Sequence, residues 1–553
     1  MNADLPGLLA FGAALALALV PAAPSGPPRW WQGRWLFLLL LAATLFHFQR
    51  HAILANFQLW NPDESEMLGG ALKLRHYPIF WRDIDGNSHG PLNQFPLVLP
   101  ALLGFRIDYT SARIIGNLMI VLLLFCTHRT IAVWASERAS RLTVLPGWAF
   151  FIFNQEPEIA QYTTEIPSCL LLAAGAFFAV RLWRQWPALA RPDLFWAGLF
   201  CGAAPFAKLQ SAPLAAWTLA VVIIRVGLTR ALPAADRARR LGWLLAGAAL
   251  PGAFFVGLAA WAGAFRYFWI AYLQSNLVGY MLNGGAYFNS AYPRFEYLFG
   301  LSQFVWPVAG TIALALGLAA WRRLALDWGV VLFAAGLLNA AVFAVYAPHK
   351  PFGHYFLFLI APGLLLLGAT AGPVLDLLGA RRPLRQAAAA TAAILAGLVT
   401  PLVVHHFQHP AYFWAVLNQR SRAPIELVAT LQRLTQPDDF VELWGWRPGL
   451  HVYTQTISST RNIITFWAIV NSPQQGFYRA TYMNDIRTHP PVVFVDTVGS
   501  ADFFFFRQTE AVRHEAFGAL DEFIRENYTL AETVAGARVY VRRDRAAPPP
   551  AGL

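Results

Sequence analysis

The sequence is poor in charged residues, which occupy only 13% of its 553 positions. Soluble domains carry about 25%. Because 57% of the residues are hydrophobic, the composition predicts a polytopic membrane protein. Cysteine is also scarce, and Cys126, Cys169 and Cys201 all lie in apolar runs. This placement is typical of small buried hydrophobic residues and argues against disulfides and cysteine metal sites.

The chain lacks two features of proteins that bind nucleic acids or nucleotides. Its net charge of +12 is not gathered on one face of a soluble domain, as nucleic-acid binding requires. The excess fits the Lys and Arg bias of cytoplasmic loops in membrane proteins. No glycine-rich loop followed by a helix is present, which argues against a nucleotide-sugar donor. We therefore predict membrane lipids, and no nucleic acid, as partners.

Twelve apolar runs are candidate membrane spans, although several are shorter than the roughly 20 residues of a straight span. They are 7–22, 35–53, 110–134, 141–154, 166–184, 194–206, 211–226, 241–262, 303–321, 328–347, 354–372 and 387–404. Arginines recur in every other loop, which assigns those loops to the cytoplasm. The opposite, extracytoplasmic face then receives 54–109, 155–165, 263–302, 348–353 and everything from about 405.

The sequence changes character after residue 404. Short strands are predicted at 440–446, 490–496 and 537–543, and a helix at 516–528. Residues 405–545 suffice for one small α/β domain, and the proline-rich end 546–553 is predicted to be a disordered tail. The predicted architecture is a transmembrane domain over 1–404 followed by an extracytoplasmic α/β domain.

An acidic stretch follows the second apolar run, between Trp60 and Pro96. It contains Asp63, Glu64, Glu66, Asp83 and Asp85. Acidic residues are expensive in hydrocarbon and are retained near membranes mainly for function. The loop 54–109 is therefore predicted to supply the chemistry. Its Pro-Asp-Glu start favours a helix N-terminus, whereas the later segment WRDIDGNSHG is typical of a solvated turn.

Ionisable residues also stand at the predicted outer ends of later spans. Glu165 precedes span five in QYTTEIPSC, and Lys208 follows span six in FAKLQ. Lys350, His354 and Tyr355 lie in HKPFGHY, between spans ten and eleven. Each also has a plain structural interpretation, such as a helix cap for Glu165 or a Lys that extends to the membrane interface.

In this order the motifs resemble the GT-C superfamily of membrane glycosyltransferases, over residues 35–372. The pattern is most similar to the branch of protein O-mannosyltransferases and lipid A aminoarabinose transferases (families 39 and 83), near the rhizobial lipopolysaccharide galacturonosyltransferases. The leading Asp-Glu pair of that branch matches Asp63-Glu64, and an Arg that opens the next span matches Arg113. A later acid, usually Asp, matches Glu165. Its lysine-bearing turn matches Lys208, and its basic-Tyr element matches His354-Tyr355.

The sequence departs from the family pattern at two places. Many relatives have Lys-Pro-Pro where this chain has Gly90-Pro91-Leu92, and an Arg after the Asp-Glu pair is replaced by Glu66. The missing Lys is expected to hold the donor phosphate. Its loss leaves this task to His89, Lys208 or Lys350.

The resemblance implies an inverting transfer of a sugar from a polyprenyl-phosphate donor to a hydroxyl of a lipid, glycan or protein. A carboxylate base and fixed cations suit this chemistry, since the hydroxyl loses a proton and the phosphate gains charge. No cofactor is predicted, and no residue set points to a divalent metal, so a metal requirement stays open. The implied catalytic residues are Asp63, Glu64 and Glu165, and the implied donor-phosphate residues are Lys208, Lys350, His354, Tyr355, His89 and Arg113.

Two other functions remain open at this point. A transporter or flippase of lipid-linked sugars normally places ionisable groups near the bilayer midplane, whereas these acids cluster at one predicted face. A glycan ligase or polymerase shares the donor chemistry and is harder to exclude. In each case the predicted location is the bacterial inner membrane, with the active site on its extracytoplasmic face.

Overall fold

The computed structural model describes residues 4–19, 34–59, 62–154, 156–186, 189–280, 301–350, 352–381, 384–408, 425–500 and 511–545. The predicted tail 546–553 lies outside these residues. The chain divides into two compact units. The first comprises Met1–Leu54, Arg113–Phe254 and Gly284–Ala415, and the second comprises Ala55–Ala112, Phe255–Asn283 and Val416–Leu553.

The described elements are mostly helical. Up to residue 280 the helices are α1 (Leu5–Leu19), α2 (Arg34–Leu54), α3 (Asp63–Leu74), α4 (Pro91–Leu102), α5 (Tyr109–Ile131), α6 (Glu137–Phe153), α7 (Pro157–Ala160), α8 (Glu165–Arg184), α9 (Arg191–Ala203), α10 (Ala212–Gly227), α11 (Ala234–Trp261) and α12 (Phe265–Tyr267), which continues as a π-helix, Phe268–Tyr280. The later helices are α13 (Leu301–Arg322), α14 (Trp328–Tyr346), α15 (Leu357–Arg381), α16 (Leu384–Gln408), α17 (Ile425–Leu434), α18 (Gly449–Thr454), α19 (Phe466–Ile469), α20 (Gln475–Thr488) and α21 (Gly518–Asn527).

Nine of the described helices are long and apolar enough to cross a membrane. The chain is therefore a multi-pass membrane protein. Each of the twelve predicted runs coincides with a helix, and the three that fall short of this length are Leu5–Leu19, Glu137–Phe153 and Arg191–Ala203. The segment Gly353–Leu378 is central to the first unit. In its most apolar stretch of 18 residues, 89% is buried inside the protein, against 22–67% in the corresponding stretches of the other eight helices.

Glycines let two helices of the first unit approach closely. A Cβ atom at Gly198 or Gly202 of α9 would clash with the carbonyl oxygens of Leu244 and Ala248 of α11. From the other side, a Cβ at Gly247 would clash with the carbonyl oxygen of Phe195. Small residues at such spacing bring membrane helices into backbone contact. The short helix α9 is thereby held against α11.

The second unit contains a five-stranded sheet in the order β2-β1-β3-β5-β4. Its strands are β1 (Phe440–Trp444), β2 (Ile457–Ser458), β3 (Val493–Asp496), β4 (Tyr528–Val534) and β5 (Ala537–Arg542). The β2-β1-β3 part is parallel, and β5 pairs antiparallel with both β3 and β4. Apolar side chains of β1, β3 and β5 form its core with Leu427 and Leu431 of α17.

The predicted strands β1, β3 and β5 and the helix α21 are confirmed. The sequence did not predict β2, which has only two residues, or β4, which begins where the predicted helix was expected to end. In β4, YTLAETV, polar and charged residues mask the alternation, and its burial pattern is mostly intermediate or exposed. An edge strand buries too little apolar surface to give a clear sequence signal.

Membrane sidedness remains a prediction, and cysteine labelling tests it. Ser88 and Asn527 are exposed positions in segments predicted to be extracytoplasmic, and Ala235 is exposed in a segment predicted to be cytoplasmic. We expect an impermeant maleimide to label Ser88→Cys and Asn527→Cys in cells with a permeabilised outer membrane. Ala235→Cys should react only after lysis. Labelling of only one of the first two positions would contradict the predicted topology.

Candidate functional site

Glu165 is the first residue of α8 and is fully buried. Thr164 precedes it at the N-cap position, and the Thr164 hydroxyl donates to the Glu165 carboxylate at 3.2 Å. The N-terminus of a helix carries partial positive charge, which stabilises an anion there. The helix start thus accounts for part of the stability of this buried carboxylate.

Lys208 is the cationic partner of Glu165. It lies in extended conformation between two short 3-10 turns, Ala204–Phe206 and Leu209–Ser211, which separate α9 from α10. Its Nζ atom lies 2.5 Å from Glu165 Oε1 and 2.5 Å from Thr164 Oγ1. Irregular backbone at membrane depth is tolerated where it is buried in protein. Here it directs a lysine ammonium at a buried carboxylate.

His354 extends this ion pair to a second carboxylate. It lies in the 3-10 turn Gly353–Phe356 just before α15 and is 4% exposed. Its Nδ1 atom is 2.8 Å from Glu158 Oε1, and its Nε2 atom is 3.8 Å from Glu165 Oε1. The ring therefore stands between two carboxylates that come from α7 and α8.

Tyr355 contacts this group, and Lys350 lies four residues before His354 in the sequence. The Tyr355 ring lies under the Lys208 ammonium, 4.9 Å from ring centroid to Nζ, in a cation–π arrangement. Lys350 is buried in the segment before the turn, and burial lowers the pKa of its ammonium to about 8. Lys350 therefore remains largely protonated at neutral pH.

Glu158 was missed by the sequence interpretation. It lies in the four-residue helix α7 and is 8% exposed. The available signal was a second acid seven positions before Glu165, within the same short loop between apolar runs. The sequence could not show that this acid, and not a solvated loop residue, would contact His354 across 196 positions of chain.

Arg113 lines a narrow polar cleft in the first unit. Gln49, Asn117, Gln161 and Tyr162 contribute to the same cleft. The Arg113 guanidinium donates to the carbonyl of Ala52 at 2.8 Å and is 1% exposed.

Asp63 and Glu64 belong to the second unit, as does His89. Asp63 is the first residue of α3, so the predicted helix start is confirmed, although Pro62 occupies the N-cap position. Glu64 is fully buried, whereas Asp63 is partly accessible. Of these two carboxylates, Asp63 is therefore the one that solvent reaches, and the roles of both remain predictions.

Helix α3 is held within the second unit at both ends. Near its start, the Ser65 hydroxyl bonds to the Tyr109 hydroxyl at 2.8 Å. At its end, the Lys73 ammonium donates to the carbonyl of Thr460 at 2.7 Å. Desolvation lowers the pKa of this lysine to about 8, although the nearby carboxylates of Asp485 and Glu442 favour its charged form. These contacts fix the helix that carries Asp63.

Several solved structures have a fold similar to that of this chain. No protein-family model and no curated protein sequence match the chain. The crystal structure of ArnT from Cupriavidus metallidurans, in the apo state, superposes with a TM-score of 0.51 at 15% identity, over 93% of this chain and 99% of that one. This chain has the GT-C fold.

Two crystal structures of an oligosaccharyltransferase from Archaeoglobus fulgidus are also similar to this chain. The apo form gives a TM-score of 0.48 at 12% identity, over 93% of this chain and 75% of that one. The complex with Zn and sulfate gives 0.46 at 11% identity, over 91% and 73%.

One group among the described residues has the geometry to hold a metal ion. It consists of Asp496 at the end of β3, His514 and Glu515. The His514 Nδ1 atom lies 2.6 Å from Asp496 Oδ2 and 3.2 Å from Glu515 Oε2, and Glu515 also pairs with Arg538. Hydrogen bonding and this ion pair account for the arrangement without a metal.

The prediction of a solvated turn is wrong for Asp85. Its side chain is 1% exposed, and its carboxylate accepts from Asn87 Nδ2 at 2.9 Å. Asp83, two positions earlier, is bound by Arg82 at 2.9 Å and by the backbone N–H of Ile79 at 3.0 Å. Desolvation raises the pKa of Asp85 to about 6, against the lowering effect of its hydrogen bonds. Turn propensity predicts the backbone conformation, but not which part of the chain covers it.

This raised pKa makes stability depend on pH. The folded state holds the Asp85 proton up to about pH 6, whereas an unfolded chain loses it near pH 4. Ionisation therefore lowers the stability of the folded state as pH rises from about 4 to about 6. We expect Asp85→Asn to raise the melting temperature of detergent-purified protein at pH 7–8. The gain should vanish near pH 4.

Asp83→Asn is the matched control for this measurement. Its carboxylate has an arginine partner, so we expect no gain in melting temperature. A gain for Asp85→Asn that is equal at all pH values would contradict the assignment to ionisation of this carboxyl group.

Proposed function

We propose that this chain is an inverting glycosyltransferase of the bacterial inner membrane. It moves a sugar from a polyprenyl-phosphate donor to a hydroxyl of a lipid, glycan or protein acceptor on the extracytoplasmic face. The observation that carries the proposal is the buried cluster of Glu158, Glu165, Lys208 and His354. Ionisable side chains within a unit of apolar helices are expensive and mark functional sites. The GT-C fold supports the same class of reaction.

Lys208 is suited to bind the donor phosphate. An ammonium has three N–H donors, and Glu165 and Thr164 use two of them. Among the described residues no other hydrogen bond uses the third N–H, which we assign to a phosphate oxygen, and the Lys208 side chain is 11% exposed. Charge-assisted hydrogen bonds of this kind are stronger than neutral ones. His354 lies 3.8 Å from the same Glu165 carboxylate and adds positive charge there, and we include Lys350, four residues before it, as a further cation.

The reaction then proceeds by direct displacement at the anomeric carbon. The acceptor hydroxyl oxygen forms the new bond to this carbon, and the bond from the carbon to the phosphate oxygen breaks. The electron pair of the broken bond stays on the polyprenyl phosphate, where fixed cations stabilise it. The hydroxyl proton passes to a carboxylate base. We assign the base to Asp63, which the resemblance places first and which is partly accessible.

A transporter of lipid-linked sugars is distinguished from this enzyme by one property. Transport needs two compartments, whereas glycosyl transfer proceeds in detergent solution. Turnover of a synthetic short-chain polyprenyl-phosphate sugar by the purified protein therefore supports transfer. Mass spectrometry of lipids from a deletion strain then identifies the acceptor.

The contact between Lys208 and the donor phosphate can be tested by mutation. Lys208→Met alone leaves Glu165 buried without its partner, which costs about 3–5 kcal/mol in typical cases. We therefore combine it with Glu165→Gln, so that both buried charges are removed together. We expect this double variant to fold and to bind a C15 prenyl monophosphate about 10- to 100-fold more weakly, since hydrogen bonds to charged groups are lost. Isothermal titration in detergent measures the affinity.

The control for this variant removes another ion pair of the same unit. Glu137 and Arg141 of α6 lie 3.2 Å apart, and Glu137→Gln with Arg141→Met should leave prenyl-phosphate affinity unchanged. Equal affinity of the Lys208 double variant and the unmodified protein would remove Lys208 from the donor site.

The assignment of Asp63 as the catalytic base can be tested in the same way. Asp63→Asn keeps the shape of the side chain and removes its basicity. General-base catalysis contributes about 10²–10⁴-fold, so the transfer rate should fall by that order while prenyl-phosphate binding survives. Glu64→Gln should have a milder effect. Near-normal turnover of Asp63→Asn, together with an inactive Glu165→Gln, would assign the base to Glu165.

A further inference from the structure

The two nitrogens of His354 face different carboxylates. Nδ1 lies 2.8 Å from Glu158 Oε1, at hydrogen-bond distance, and Nε2 lies 3.8 Å from Glu165 Oε1. Glu165 is already bound by the Lys208 ammonium. Glu158 therefore makes the shorter of the two contacts with the imidazole and fixes the orientation of its ring.

A neutral imidazole has one N–H, and the 2.8 Å contact places it on Nδ1. An unprotonated Nε2 would then place its lone pair 3.8 Å from a carboxylate oxygen, which is unfavourable although too distant for a hydrogen bond. A second proton on Nε2 removes this conflict.

We propose that Glu158 is a positioning residue that holds His354 as an imidazolium with its Nε2–H available to the donor phosphate. The inference rests on the proposed polyprenyl-phosphate donor. In serine proteases, too, a buried carboxylate fixes the tautomer of a histidine through Nδ1, so that Nε2 contacts the reacting group. In this chain Glu158 acts on the donor through His354.

The charged and titratable groups that face His354 come from four parts of the chain. Glu158 comes from α7, Glu165 from α8 and Lys208 from the turns after α9, while Tyr355 is its neighbour at 5.0 Å between ring centroids. Burial and the Lys208 ammonium disfavour the imidazolium, whereas the two carboxylates favour it. Glu158→Gln removes one of the two favourable charges while it keeps an oxygen that can accept from Nδ1.

Binding of a C15 prenyl monophosphate to the full-length protein in detergent tests this inference, with the corresponding prenyl alcohol as reference. At pH 8 we expect Glu158→Gln to weaken phosphate binding about 10- to 100-fold. The loss should be smaller at pH 6, because a lower pH favours the imidazolium in the variant as well. Alcohol binding should not change. A purely structural role would weaken binding equally at both pH values.

Glu137→Gln is the matched control. Glu137 lies 3.4 Å from the buried His128, so the same substitution removes another Glu–His contact of the first unit. We expect it to leave the ratio of affinities at pH 6 and pH 8 unchanged. If Glu158→Gln gives the same ratio as this control, the inference is wrong, even though the proposed function stands. If the unmodified protein binds the alcohol as well as the phosphate, the proposed donor itself is wrong.

A double-mutant cycle adds an independent measurement. Because Glu158 acts through His354, Glu158→Gln should cause no further loss of phosphate affinity once His354→Ala is present. Independent roles would multiply the two losses. Multiplicative losses in protein that retains its melting temperature would overturn the assignment of Glu158 as a positioning residue.

Discussion

The ion pair between Lys208 and Glu165 is the interaction around which the candidate site of the first unit is arranged. Transfer of an ion from water into a protein interior costs several kcal/mol, and mutual attraction offsets this only with good geometry and further hydrogen bonds. The structure provides both, through the 2.5 Å contact, the Thr164 hydroxyl and the N-terminus of α8. The irregular turns around Lys208 and the turn at His354 are the local departures from helix that this arrangement requires.

The second unit presents its acidic residues in a different way. Helix α3 carries Asp63 at its first residue, where solvent reaches it, and buries the adjacent Glu64. Ser65 and Lys73 join the two ends of this helix to other parts of the same unit. A carboxylate on a fixed helix keeps its position within the unit. This is the property expected of a base that acts on a positioned hydroxyl.

The sequence predicts the parts of this protein that depend on composition and periodicity. Long apolar runs specify the helices because a helix satisfies its own backbone hydrogen bonds. Alternation revealed β1, β3 and β5, but it could not reveal the two-residue β2 or the polar β4.

For the candidate site, too, the sequence predicts what depends on local residue order but not what depends on tertiary contacts. Residue type and order led to Glu165, Lys208 and His354, which the structure brings together. Glu158 and Asp85 escaped correct assignment for one reason. Each acid lies in a segment of turn-like composition, and its burial is decided by residues far away in sequence. Local propensity contains no information about such coverage.

The close approach of α9 to α11 limits the substitutions that α9 can accept. Gly198 and Gly202 have no role in chemistry, yet α9 ends only five residues before Lys208. A methyl group at either glycine would push the helix outward and displace the ammonium from its carboxylate. Since backbone contacts leave no flexible side chain to absorb the change, the cation would be lost from its position without being mutated. Two glycines in a short helix thus constrain the electrostatics of a site that neither of them touches.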